Sequence, residues 1–118
     1  MRRPRKFATE IATPSIQCDV GHEQAVNDMV AGVESRLGPV DILFSNAGVA
    51  TGGDIVTTAS DVWNDQWAIN VMAHVYGVRA VLPGMLARGG GSLVHTASMA
   101  GILTSHGLAL RCRGDSRL

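Results

Sequence analysis

The stretch Val40-Asp41-Ile42-Leu43-Phe44-Ser45-Asn46-Ala47-Gly48 decides the fold of this chain. It is a short apolar run that follows Gly38-Pro39 and ends in a small polar turn. An apolar run of this length between turn residues predicts a buried strand of a parallel sheet. The turn would then lie at the carboxyl edge of the sheet, where open α/β sheets bind their ligands.

Composition restricts the class of protein before any motif is considered. The 118 residues suffice for one domain with a modest core. Hydrophobic residues make up 46% of the chain and the formal net charge is zero, which argues against a disordered chain and against a nucleic-acid-binding surface. The basic start, Met1 to Lys6, precedes no apolar segment, so we predict neither a signal peptide nor a membrane span. The two cysteines, Cys18 and Cys112, favour a reduced, cytoplasmic protein over a disulfide framework.

The residues before the central strand predict three elements. Phe7 to Thr13 favours a short helix that Pro14 would end, and Ser15 to Cys18 favours a brief strand. His22 to Leu37 has the spacing of an amphipathic helix ended by Gly38-Pro39. Its apolar positions are Val26, Met29, Val30, Val33 and Leu37.

A loop from Val49 to Thr58 and a long helical segment follow the strand. Ser60 is the expected N-cap of this helix. From Val71 to Leu82 the segment is apolar on nearly every side, which predicts burial on two faces, by the sheet with other helices or by a second subunit. Pro83-Gly84 should kink or end the helix, and Gly89 to Gly91 should close it.

The last predicted strand is Ser92 to Ala97, and Ser98 to Gly101 forms the turn after it. Alternation of strands and helices is typical of a right-handed parallel βαβ sheet, and therefore of the α/β class. Residues 110–118 are rich in arginine and lack periodicity, so we expect a disordered tail. A shifted reading frame or a truncated gene would produce such an abrupt change.

Four motifs together resemble the short-chain dehydrogenase/reductase family. They are Cys18-Asp19-Val20, Asn46-Ala47-Gly48, Asn70-Val71 in the long helix, and Ser98-Met99-Ala100-Gly101 after a strand. Each is weak alone, but their order and separations match the middle of a family domain. The resemblance implies a partial Rossmann-like, doubly wound parallel sheet of about three strands with flanking helices over residues 1–109. The strand at Val40–Ser45 would pair with the strand at Ser92–Ala97, whereas Ser15–Cys18 would lack its family neighbours.

The resemblance also implies a binding site for NAD or NADP. Asp19 would hydrogen-bond the adenine amino group, with Val20 near the ring. Locally, a turn aspartate that caps the following helix is an equally good interpretation of Asp19. Asn46, Ala47 and Gly48 would steady the central strand and leave the backbone free beside the ribose, where Gly48 avoids a clash with the cofactor. A simple turn is the structural alternative for these three residues.

Two catalytic residues follow from the same resemblance. Asn70 would bind a water through its backbone in a distorted helical turn, as part of a proton relay. Ser98 would hydrogen-bond the substrate carbonyl or hydroxyl. Each residue has a structural alternative. Asn70 could be an asparagine that the helix tolerates without a function, and Ser98 could stabilise the local turn. His95 replaces an asparagine often found in the family and is expected to be a strand side chain. The four histidines lack metal-ligand spacing, so we predict no metal.

Two elements of the family site have no counterpart in the 118 residues. The Gly-rich phosphate turn is missing, and Gly52-Gly53 and Gly89 to Gly91 lie in the wrong places to replace it. The family's Tyr-x-x-x-Lys pair is missing too, since the only tyrosine is Tyr76 and the only lysine is Lys6.

The sequence therefore predicts a relative of NAD(P)-dependent oxidoreductases, which transfer hydride between a nicotinamide and a small carbonyl or secondary alcohol. This chain itself is expected to be inactive. A non-catalytic interaction module is the alternative, in which the Val71–Leu82 helix pairs with a full-length relative in a homo- or hetero-oligomer. An enzyme assembled from complementing chains is a third option. We expect no nucleic-acid or membrane partner. A sheet remnant should also expose apolar surface that favours aggregation or partner binding.

Overall fold

A computed structural model describes residues 13–99 of the protein. In chain order the elements are α1 (Glu23–Leu37), β1 (Ile42–Ser45), α2 (Ser60–Trp67), a π-helical turn (Ala68–Met72), α3 (Ala73–Arg88) and β2 (Ser92–His95). The predicted helix beginning at Phe7, the domain boundary at residue 109 and the predicted tail 110–118 lie outside the described residues. None of the helices within residues 13–99 has the length and apolarity needed to cross a membrane.

The sheet confirms the predicted α/β class and the predicted neighbours. β1 and β2 pair in parallel, with Ile42 opposite Ser92 and Ser45 opposite His95. The strand prediction for Ser15 to Cys18 is wrong, because this segment has no regular secondary structure and the sheet within residues 13–99 has two strands rather than three. A strand needs a partner for its backbone groups, and the local sequence pattern did not supply one.

The core lies between α1, α3 and one face of the sheet. Val30, Val81 and Met85 form a buried cluster, and Leu43 of β1 packs against it. α1 begins one residue after its predicted start and ends at Leu37, where the N–H of the C-cap Gly38 donates to Glu34 O at 3.0 Å. The apolar stripe of α1 therefore meets the helix that crosses over between the two strands.

A glycine allows α3 to approach β1 closely. A Cβ built at Gly77 would lie 3.2 Å from Leu43 Cδ2, and Gly77 itself is buried. Such a distance is short for two carbon atoms, so a larger side chain would push the helix away from the strand.

The long helical segment differs from its prediction at three points. Ala59 is the N-cap, and Ser60 is already helical. Pro83 lies inside α3, which continues to Arg88, because Val81 and Met85 hold the helix in the core on both sides of the proline. Between Val71 and Leu82, Gly77 and Val81 are buried, Arg79 is exposed and the rest are half-buried, so the described residues do not bury this segment on two faces, and burial by a second subunit stays a prediction. The predicted closure is confirmed by Gly89, which has a φ of 76°.

Candidate functional site at the carboxyl edge of the sheet

The two strands end side by side and are tied together just beyond their last residues. The Thr96 N–H donates to Ser45 O at 3.0 Å, and the Thr96 hydroxyl donates to Asn46 Oδ1 at 2.6 Å. The turn Asn46-Ala47-Gly48 therefore starts from the same edge as the segment that leads to Ser98. Both segments are exposed, as a ligand-binding edge requires.

Asn70 holds the residue that follows this turn. Its Oδ1 accepts the Val49 N–H at 2.9 Å, and its Nδ2 donates to Val49 O at 2.9 Å. Gly48 lies under this pair, since a Cβ built there would lie 3.3 Å from Asn70 Oδ1. The side chain of Asn70 thus fixes the backbone beside Gly48, while the main chain of Asn70 belongs to the π-turn.

The π-turn is the distorted helical turn that the family resemblance implies for Asn70. Its five residues, Ala68–Met72, join α2 to α3, and the Ala73 N–H donates to Ala68 O, five residues back. A π-turn widens the helix by one residue and leaves its carbonyls imperfectly paired, which is why such turns are frequent at functional sites.

Gln66 is a site residue that sequence reasoning missed. It is 4% exposed, the one buried polar residue in the described part of the chain. The positions of its amide oxygen and nitrogen are assigned from the surrounding donors and acceptors. In this orientation the Gln66 oxygen accepts from the Thr51 N–H at 2.7 Å and the Thr51 hydroxyl at 2.8 Å, and the nitrogen donates to Val49 O at 3.1 Å. Its position four residues before Asn70 was the available signal, because residues four apart share a helix face.

Asp19 and Val20 lie in a turn that packs against the π-turn. A Cβ built at Gly21 would lie 3.5 Å from Ile69 Cγ1 and 3.6 Å from Ala68 Cβ. Asp19 Oδ1 accepts the Gly21 N–H at 3.0 Å, and the exposed side chains of Asp19 and His22 approach to 3.3 Å. Asp19 is therefore a turn residue with part of its carboxylate engaged, but it does not cap α1, whose N-cap is His22 without a side-chain cap bond.

Cys18 precedes this turn and is not an activated thiol. Burial raises the pKa of its thiol, and the nearby carboxylates of Asp19 and Asp28 raise it further. A raised pKa keeps the sulfur protonated at neutral pH, so Cys18 is a half-buried structural residue rather than a nucleophile.

The glycine clusters do not form a phosphate site. Gly53 faces Thr58 in a turn organised by Asp54, whose carboxylate accepts the N–H groups of Val56 and Thr57 at 2.9 Å. The hydrogen bond from the Thr57 hydroxyl is the main cause that lowers the pKa of Asp54. Gly89 closes the carboxyl end of α3, and a helix carboxyl end carries partial negative charge and repels anions.

Three of the four histidines, His22, His74 and His95, lie among the described residues. Within residues 13–99, no three metal-ligating side chains lie together. His95 is the last residue of β2, as expected for a strand side chain, and its Nδ1 lies 2.9 Å from His74 Nδ1. This contact was missed, because the two histidines are 21 residues apart and only the crossover brings them together.

The parallel pair of strands, the crossover helix with its π-turn and the glycine turn at the carboxyl edge define an α/β domain of the dinucleotide-binding class. Comparison with known proteins identifies it further. A sequence model described as short chain dehydrogenase matches residues 4–110, and the chain belongs to the short-chain dehydrogenase/reductase family.

Its relatives are enzymes and enzyme-like proteins of this family. The chain is 36% identical over 109 residues to inactive 2-(S)-hydroxypropyl-CoM dehydrogenase 2 of Xanthobacter autotrophicus, covering 91% of this chain and 47% of the relative. It is 40% identical over 103 residues to 2-keto-3-deoxy-L-fuconate dehydrogenase of Xanthomonas campestris, covering 80% and 34%.

Solved structures agree with this assignment. L-sorbose reductase from Gluconobacter frateurii, complexed with NADPH and L-sorbose, matches with a TM-score of 0.79 and 31% identity over 91% of this chain and 41% of that one. A short-chain dehydrogenase from Streptomyces avermitilis matches with a TM-score of 0.81 and 28% identity over 91% and 41%. The chain thus spans less than half of the length of these relatives.

Proposed function

We propose that this chain supplies the cofactor-facing edge of an NAD(P)-dependent short-chain oxidoreductase. The observation that carries the proposal is the Asn46-Ala47-Gly48 turn at the carboxyl edge of β1, held through Val49 by Asn70 of the π-turn. The family acts on small-molecule carbonyl or alcohol substrates, and one solved relative binds NADPH with L-sorbose. The bound nicotinamide would supply the hydride.

The described residues fit the adenosine side of such a cofactor. Gly48 presents backbone without a side chain at an exposed edge, and the Asp19 turn lies against the same π-turn. Asn46, Ala47 and Gly48 would contact the ribose, while Asp19 and Val20 would contact the adenine. Ser98 would hydrogen-bond the substrate oxygen, and Asn70 would hold a water through its backbone. The part of the chain that the structure describes contains no counterpart of the phosphate-binding turn.

We propose in addition that the 118 residues alone do not catalyse hydride transfer. Tyr76, the only tyrosine, lies within α3, and Lys6 is the only lysine, so the sequence contains no Tyr-x-x-x-Lys pair to donate and accept the proton. One relative is itself described as an inactive dehydrogenase, which supports the proposal. A cytoplasmic location remains a prediction that rests on cysteine usage.

A titration with NADH and NADPH tests this proposal. Fluorescence of either nucleotide should show no saturable change when the purified chain is added at micromolar concentration, and no oxidation of NADH should accompany a small ketone. Turnover above the rate without protein would contradict the proposed lack of catalysis, and saturable micromolar binding would contradict the weak affinity expected without a phosphate-binding turn.

A second candidate function rests on an open groove beside α3. Val75 and Val78 line this groove with His74, Arg79 and His95, and the two valines are only half-buried. Apolar surface of this kind fits the interaction module, in which α3 pairs with a second family chain.

Substitution of the groove valines tests the second candidate. Val75→Asp with Val78→Asp should abolish co-purification of a family partner and any concentration-dependent dimer in sedimentation. Leu86→Asp is the control, because Leu86 is 71% exposed on the same helix and lies outside the groove. Unchanged association of the double variant would exclude this surface.

A further inference from the structure

The contact between His74 and His95 joins the start of α3 to the end of β2. The two Nδ1 atoms are 2.9 Å apart, the ring centroids are 5.0 Å apart and the ring planes are tilted by 44°. The rings therefore do not stack. Their nitrogens face each other at hydrogen-bonding distance, and one ring donates its N–H to the other.

Such a pair depends on its protonation state. A neutral pair, or a pair with a single extra proton, offers one donor and one acceptor. When both rings are protonated, two N–H groups and two positive charges face each other, and the bond is lost. We propose that the His74–His95 pair is a pH-sensitive clasp that holds the first turn of α3 against β2 and releases it in mildly acidic conditions.

In the described part of the chain, the histidine pair is the group at this contact that responds to pH. β1 and the π-turn contain no titratable side chain. Arg79 lines the same groove, but it pairs with Glu23 of α1 at 3.1 Å. The other carboxylates of α1 also have partners, since Asp28 accepts from Gln24 and Glu34 accepts from Val40 N–H. Burial, and then the charge of His95, lowers the pKa of His74 from its usual 6.5.

The direction of the effect follows from this shift. A histidine with a lowered pKa binds fewer protons in the folded state than in the unfolded chain below pH 6.5. The stabilisation from the pair is therefore complete above pH 6.5 and is lost as the pH falls through the folded pKa. Since Asn70 lies one turn before His74, release of the clasp would loosen the helix beside the proposed cofactor edge. The clasp itself does not depend on that function.

NMR of the full 118-residue chain tests the clasp through two readouts. In the native chain, the pKa of His74 should lie below its usual 6.5, and amide protection in Ala73 to Gly77 should be lost between pH 8 and pH 5 after correction for intrinsic exchange. His95→Asn should raise the pKa of His74 and remove the pH dependence of this protection. His74→Gln should remove the pH dependence as well.

His22→Gln is the matched control, because His22 is exposed and lies outside the pair. It should retain the full pH dependence. A His74 pKa that is not lowered from 6.5 in the native chain, or unchanged pH dependence in His95→Asn, would overturn the proposal.

Discussion

Gln66 and Asn70 place two amides where the backbone needs hydrogen-bond partners. They lie on one face of the helical segment and bind the loop after Gly48, at Val49 and Thr51. Gln66 is buried, so its amide would be costly without partners, and together with Asn70 it fixes the path of the exposed loop. Apolar periodicity could not predict these loop contacts, because it does not indicate which polar residues of a helix point inward.

Gln66→Leu should destabilise the fold by about 1 kcal/mol, because it removes the hydrogen bonds to the exposed residues Thr51 and Val49 while keeping the volume. Urea unfolding would show a lower midpoint at an unchanged slope. Hydrogen exchange of the Thr51 amide should also accelerate. Gln24→Leu on exposed α1 surface is the control and should change little. Equal stability of the two variants would contradict the role of Gln66.

Gly77→Val should cost about 1–3 kcal/mol, since its Cβ meets Leu43 at 3.2 Å in a packed interface. Gly84→Ala on the same helix is the comparison. There the new Cβ meets the guanidinium of Arg88 at 3.1 Å rather than a packed strand, and the gain in helix propensity is about 1 kcal/mol. Thermal unfolding of both variants measures the difference. A Gly77→Val protein as stable as the native chain would show that α3 and β1 are not in close contact.

At the scale of elements, apolar periodicity predicted the helix bounds better than proline and glycine signals did. The apolar spacing placed α1 within one residue of its observed start, at Glu23 rather than His22. Pro83 failed as an end signal because tertiary packing of α3 compensates for one lost hydrogen bond. Ser15 to Cys18 failed as a strand because strand formation depends on a neighbour distant in sequence.

Gly89→Ala should destabilise the end of α3 by about 1 kcal/mol, because Gly89 has a φ of 76° and an alanine there is strained. Gly90→Ala is the matched control, since Gly90 has no positive φ and no atom lies within 4 Å of its built Cβ. Circular dichroism during urea unfolding compares the two variants. A larger loss in Gly90→Ala would contradict the assigned cap.

At the scale of the whole molecule, the sheet within residues 13–99 is covered on one side of β1 and exposed on the other. Leu43 turns toward α3, whereas Ile42 and Phe44 are 66% and 60% exposed on the other face, next to Val94. The sequence predicted this exposure from the reduced sheet, and the family motifs located the carboxyl edge. The sequence did not predict how α2, the π-turn and the loop join there, because those contacts depend on Gln66 and Thr96.

Ile42→Thr combined with Phe44→Thr should reduce self-association with little effect on stability, because both side chains are already exposed and threonine suits a strand. Sedimentation across a range of concentrations measures the association. Leu43→Thr is the contrasting variant and should destabilise the fold, since Leu43 packs on the core. Unchanged association in the double variant would show that a different surface mediates self-association.

The most direct test of the central claim is an amide chemical-shift map of the chain titrated with NADPH. We expect small shifts confined to Asp19, Val20 and Asn46 to Gly48, rising through the millimolar range without saturation. Gly48→Val, whose side chain would crowd Asn70, should abolish the shifts at that edge. Saturation in the micromolar range, or shifts that spare the carboxyl edge of β1, would contradict it.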